Sequence, residues 1–166
     1  MITIREATPD DYPVIQHIAH RTWPDTFGAI LTPEQIEYML GWMYSIPALE
    51  GQVNEKGHQF LMAQEGDENL GYLSYEVNYK GTRKTKIHKI YILPAAQGKG
   101  VGKALFAEAT ERALATANHT LSLNVNRQNP AVQFYTKQGF QIVREENIDI
   151  GNGFLMEDFV MEKSLL

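Results

Sequence analysis

Three glycines at alternate positions, Gly98, Gly100 and Gly102, interleaved with Lys99 and followed by Lys103, are the residues whose spacing most directly implies chemistry. They follow an apolar, β-branched run ending at Pro94 and precede a helical pattern that begins at Val101. Glycine lets the backbone turn sharply and approach a ligand with no Cβ in the way. A helix start behind the turn offers unpaired N–H groups and the positive end of its dipole. With two lysines at the same place, the segment suits a phosphate-bearing ligand.

Spacing narrows the choice of ligand. A P-loop needs four residues between its first Gly and Gly-Lys-Ser/Thr. Here three residues separate Gly98 from Gly102-Lys103, and Ala104 has no hydroxyl for magnesium. A dinucleotide fingerprint needs G-x-G-x-x-G, whereas this chain has G-x-G-x-G after several antiparallel-looking segments. Gln97-Gly-Lys-Gly-Val-Gly102 instead resembles the pyrophosphate loop Q/R-x-x-G-x-G/A of the GNAT superfamily of acyl-CoA N-acyltransferases. Asn129-Pro-Ala-Val-Gln-Phe-Tyr-Thr-Lys-Gln-Gly-Phe140 is similar to that family's other signature, an Asn and an Ala leading into F-Y-x-x-x-G-F, with only Pro130 between the Asn and the Ala. The stretch also reads as a capped amphipathic helix: Asn129 as cap, Pro130 in the first turn, Gly139 as a left-handed stop. The resemblance extends to the chain start, Ile2–Tyr12, and covers nearly the whole sequence.

The resemblance implies transfer of an acetyl group from acetyl-CoA to a primary amine by direct attack in a ternary complex. Backbone amides of Gln97, Gly98, Lys99, Gly100, Val101, Gly102 and Lys103 would hold the pyrophosphate. Strand edges near Ile90 and Ile92 would hold the pantetheine arm, one amide polarising the thioester carbonyl. Asn129 would assist on the CoA side, and Tyr135 matches the family's general acid. Placement of the two reactants supplies most of the rate in this scheme.

Two protons must move. A primary amine of pKa near 10.4 is mostly ammonium at pH 7, and deprotonating it costs about 4–5 kcal/mol. The leaving thiolate gains from an acid. Some family members carry a Glu base at the start of the glycine-loop strand, where this chain has Lys86. His88 lies two residues on, on the same strand face, and its unperturbed pKa near 6.5 suits a neutral base. Glu76, on the preceding strand, is a second candidate, as base or against the acceptor. A water relay is the third route.

For the acceptor, Trp23-Pro-Asp-Thr-Phe27 is similar to a segment of bacterial GNAT enzymes that acetylate spermidine and spermine. Trp23 and Phe27 either make cation–π contacts or pack between helix and sheet. Asp25, Glu34, Glu37, Glu157 and Asp158 supply negative charge for a polycation. A polyamine is therefore the leading acceptor. Protein N-termini or lysines, amino acids and aminoglycosides are its rivals, and an acetyl-CoA-binding sensor without turnover is the rival of another class. Family analogy allows a homodimer through the C-terminal strands.

The elements that must position these groups follow from periodicity. Ile2–Ala7, Gln59–Gln64, Leu70–Asn78, Thr85–Leu93, Thr120–Asn126, Phe140–Ile148 and Phe154–Lys163 read as strands. Helices are expected after Thr8, from Thr32 to about Met43, over Val101–Ala117 and over Pro130–Gln138, with a break at Trp23–Ala29. Pattern alone gives a mixed α/β domain. The resemblance sharpens this to an α/β (α+β) fold with a largely antiparallel sheet of about seven strands, splayed between the fourth and fifth, and about four helices.

The 166 residues suffice for one domain, 1–166, with a sizeable core. The absence of cysteine excludes disulfides, thiolate metal sites and a cysteinyl acyl-enzyme. Of the five histidines only His17 and His20 share a helix face, so no metal site is expected. A net charge of −5 argues against non-specific nucleic-acid binding. No apolar run is long enough to span a bilayer, and Met1 leads into a strand rather than a signal sequence, so a cytoplasmic protein without membrane contact is expected. Lys80, Arg83, Lys84, Lys86 and Lys89 crowd one segment and Glu145, Glu146, Asp149, Glu157, Asp158 and Glu162 another. They read as two solvated sheet edges, or as a basic region near an anionic cofactor and an acidic one facing a cation.

Overall fold

The computed structural model describes residues 1–166. Its strands are β1 (Ile2–Glu6), β2 (Gln59–Glu65), β3 (Glu68–Glu76), β4 (Lys84–Ile92), β5 (Thr120–Asn126), β6 (Gln141–Gly151) and β7 (Phe154–Ser164). Its helices are α1 (Tyr12–Phe27), α2 (Pro33–Tyr44), α3 (Ile46–Asn54), α4 (Val101–Ala115) and α5 (Ala131–Lys137). The strands form one seven-stranded sheet in the order β1-β2-β3-β4-β5-β7-β6. Every pairing is antiparallel except β4 with β5. That parallel pairing runs only from Lys84↔Thr120 to Ile87↔Leu123, although β4 continues to Ile92 and β5 to Asn126. The sheet therefore splays where the resemblance implies.

Two apolar cores cover its faces. On one, α4 lays down Val101, Leu105, Ala109 and Ala113, the stripe read from the sequence, against Leu73, Ile87 and Leu123. On the other, α1, α2 and α3 bury Ile15, Trp23, Met39, Tyr44 and Leu49 over Met62 and Tyr72. No helix is long and apolar enough to cross a membrane.

Two helical expectations change. There are five helices rather than about four, because α3 occupies a stretch the periodicity leaves unassigned. Its start is nonetheless conventional: Ser45 Oγ accepts from the amide of Ala48 at 3.2 Å, with Pro47 in the first turn. The break expected at Trp23–Ala29 begins only at Gly28, since α1 runs through Pro24 to Phe27. Trp23 and Phe27 are four residues apart, with ring centroids 4.5 Å from each other, and both are buried. That burial outweighs the interior proline's penalty of about 3 kcal/mol.

The lysine-rich segment is not a solvated edge. β4 is central, and Lys86 and Lys89 are each only 8% exposed. The acidic segment likewise buries Asp158, on β7 between β5 and β6.

Candidate active site

The glycine loop connects β4 to α4. Gly98 and Gly100 have φ of +84° and +81°, a region that disfavours side chains, and open space lies where each Cβ would be. Gly100 is the N-cap of α4, so the free amides of the first turn face that space. Gly102 does a different job: a Cβ there would stand 3.3 Å from Ile92 and Phe134 side chains, so its smallness lets α4 approach β4 and α5. Lys103 faces the adjoining cleft, whereas Lys99 turns away toward Glu65, 3.5 Å distant.

The cleft, about 890 Å³, runs from this loop through the splay to α1 and α2. Ile90 and Ile92 line it; both pair with β3 on one side and have no β5 partner on the other. Asn129 lines the opposite wall one residue before Pro130, the N-cap of α5 where the sequence suggested Asn129 itself, and its Oδ1 accepts from the Ala131 amide at 2.9 Å. Tyr135, on α5, reaches the cleft from an aromatic nest of Phe106, Phe134 and Phe140. Burial pushes its phenol up, so it keeps its proton at neutral pH.

On the β4 wall the register with β3 steps from Ser74↔Lys89 to Tyr75↔Ile87. His88 is the extra residue of a bulge, a device that re-aims side chains. It lines the cleft, with Nε2 2.9 Å from Glu76 Oε1. Glu76 stands behind it, and His58, just before β2, stacks on the His88 ring at 3.8 Å and 14°. Burial, reinforced by His58, Lys89, Lys86 and Lys56, pushes His88 down to about 2, far below the value of 6.5 assumed from sequence. His88 is therefore held toward its neutral form. Donation from Nε2–H to the carboxylate then leaves the lone pair on Nδ1.

His58, Glu76 and His88 each offer a ligand atom within 4.8 Å of the others, a cluster that the sequence reading, pairing only His17 with His20, does not anticipate. Face-to-face rings set their nitrogens side by side rather than converging on one point in both ring planes, and Lys56, Lys86 and Lys89 surround them. The arrangement suits proton exchange better than a cation.

Deeper on the same face, Lys89 Nζ donates to Gln52 Oε1 at 2.9 Å, and burial pushes this ammonium down to about 7. Lys86 Nζ donates to Asn124 Oδ1; burial lowers it to about 8 despite the opposing pull of Glu146 and Asp158. At the α1 end of the cleft, Trp23 and Phe27 are buried and Asp25 is exposed.

Compared with known families, residues 29–163 match the model of the acetyltransferase (GNAT) domain. The chain belongs to the GNAT family of N-acetyltransferases. A spermidine N(1)-acetyltransferase of Thermoplasma acidophilum is 27% identical, the match covering 94% of this chain and 96% of that one. An uncharacterized N-acetyltransferase of Lactobacillus delbrueckii subsp. lactis is 27% identical over 99% of this chain and 98% of its own. Among solved structures, PaiA N-acetyltransferase from Thermoplasma acidophilum, in complex with coenzyme A, superimposes with a TM-score of 0.81 at 27% identity, covering 99% of both chains.

Within this GNAT site the structure brings together Tyr135, His88, Asn129, Ile90, Ile92 and the loop glycines along one cleft. It leaves Glu76 behind His88 and Lys99 outside. Sequence reasoning misses His58, Gln52, Asn124 and the burial of Lys89. Their local signal is weak: Asn124 sits between Leu123 and Val125, whereas Gln52, His58 and Lys89 stand in runs of mixed polarity.

Proposed function

We propose that this GNAT enzyme transfers the acetyl group of acetyl-CoA to a primary amine by direct attack. The observation that carries this reading is the single cleft joining an open glycine loop, unpaired strand edges and a buried phenol. The donor fits it: Gly98 and Gly100 leave room for phosphate against the start of α4, and Lys103 adds charge. When bound, acetyl-CoA supplies an activated acyl carbon on a thiolate leaving group. The edges at Ile90 and Ile92 hold the arm and offer an amide to the carbonyl oxygen. Tyr135 donates its proton to the departing sulfur. His88, held by Glu76, takes the amine's proton at Nδ1 as its Nε2 proton passes to the carboxylate, so that no charge stays on the buried ring.

For the acceptor we propose a polyamine, entering past Trp23, Asp25 and Phe27. The spermidine-acetylating relative supports this choice. A second reading, an amino acid, is favoured by Lys89, a buried cation on the cleft wall that a carboxylate would satisfy. An L-amino acid N-acyltransferase of Escherichia coli is 28% identical over 59% of this chain.

The test is release of free thiol from acetyl-CoA with spermidine, diamines, amino acids, aminoglycosides and short peptides. Selective turnover with spermidine supports the first acceptor, and selective turnover with amino acids the second. Silence across the panel, with acetyl-CoA binding intact, overturns amine transfer.

A further inference from the structure

Two carboxylates lie on the cleft wall, Asp25 and Asp158. Asp25 is exposed at the mouth, whereas Asp158 is 1% exposed. Asp158 sits on β7, in register with Asn126 of β5 and Glu146 of β6. One of its oxygens is tied down: Oδ2 accepts from Asn124 Nδ2 at 3.3 Å. Asn124 is fixed in turn by Lys86 and by Glu146 Oε2, and the Asp158 carbonyl accepts from Arg127. The other oxygen, Oδ1, is buried with no partner in the protein.

A buried carboxylate oxygen without a donor is expensive, and few native side chains are left so. Lys86 donates to Asn124 and Arg127 to the Asp158 carbonyl, so neither reaches Oδ1. The location is also telling. Asp158 and Tyr135 are both among the groups that push up the phenol of Tyr91, on the opposite wall. Asp158 therefore belongs to the part of the cleft where β4, α5 and β7 converge. The same stretch of wall carries Leu155, Met156 and Val125 beside Asn124 and Asn126. A buried, positioned carboxylate with one free oxygen is what an alkylammonium requires.

We infer that Asp158 seats the ammonium of the acceptor amine, through Oδ1, before its proton is removed. This rests on the amine-transfer reading above and names the group that recognises the substrate. The seat reads the ammonium itself, so it serves any of the acceptor classes considered.

The experiment is steady-state kinetics of wild type and Asp158→Asn with spermidine, n-butylamine and L-methionine. It is paired with calorimetric titration of each amine into the enzyme–CoA complex. Loss of a charge-assisted hydrogen bond predicts an acceptor KM raised about 10- to 100-fold. Acetyl-CoA affinity should stay within twofold. If Asp158→Asn does not fold, Asp158→Ser takes its place. An unchanged acceptor KM and amine affinity, or a loss of acetyl-CoA affinity, overturns the inference while amine transfer stands. Wild type that binds acetyl-CoA but neither binds nor acetylates any amine overturns the underlying reading and the inference with it.

Discussion

Replacing Lys89 with Met should stabilise the protein in mild acid and cease to do so in base. Lys89 is buried in the folded protein, against Gln52 and the rings of Tyr44 and Phe60. Its ammonium is held near 7, against 10.5 in water. At 1.36 kcal/mol per pH unit, the charged form is disfavoured by about 5 kcal/mol in the fold. The folded pKa is depressed, so the unfolded chain binds more protons between pH 7 and 10.5, and stability rises with pH there. The penalty is complete below pH 7, and about 1 kcal/mol of it remains at pH 10. Methionine fills a similar volume without charge but orphans Gln52 Oε1, a loss of about 1–3 kcal/mol. The balance is a gain of about 2–4 kcal/mol at pH 6, falling by about 4 kcal/mol by pH 10. Urea unfolding of both proteins at pH 6, 8 and 10 measures it. Parallel stability curves for wild type and Lys89→Met would refute the assignment of this charge.

Three further outcomes are expected. Tyr135→Phe should lower kcat about 100-fold with acetyl-CoA affinity within twofold; full activity would remove the phenol from the acid role. His88→Gln should lower kcat by a similar factor. Because burial holds His88 below the usual imidazole range, the shape of the variant's pH–rate profile should match wild type. An acid limb near pH 6.5 that vanishes in the variant would show that the histidine does titrate. Gly100→Val meets no atom but forces a branched side chain to φ +81°, at a cost of about 1–2 kcal/mol. The loop should move and acetyl-CoA affinity fall at least tenfold, which calorimetry reads directly; unchanged affinity would place the phosphates elsewhere.

The parts of this site legible in the sequence are those built by local rules. The glycines declare positive φ and close approach, the α4 stripe declares one buried face, and Asn129 and Gly139 mark the ends of α5. The Asn152-Gly153 turn between β6 and β7, with φ of 55° and 78°, is of the same kind. What escaped depends on partners far along the chain. His58 and His88 meet because β2, β3 and β4 are neighbours and β4 bulges at His88. Lys86, Lys89 and Asp158 look like surface charges until the strand order puts β4 and β7 inside the sheet. His88 lines the cleft, but its titration is depressed by burial and by lysines that no spacing rule connects to it.

Only four register pairs join β4 to β5, so the sheet is two antiparallel blocks, β1–β4 and β5–β7, hinged along a short seam. Each block satisfies most of its own hydrogen bonds, and parting the seam sacrifices few of them. Amides along the seam should therefore exchange with solvent ahead of those in the middle of either block. A ligand lying in the splay touches both blocks and braces them. Its arrival should slow exchange even in β6, at the far edge of the sheet and remote from the glycine loop. Donor occupancy and the rigidity of the C-terminal strands are then one property, measured from two ends of the molecule.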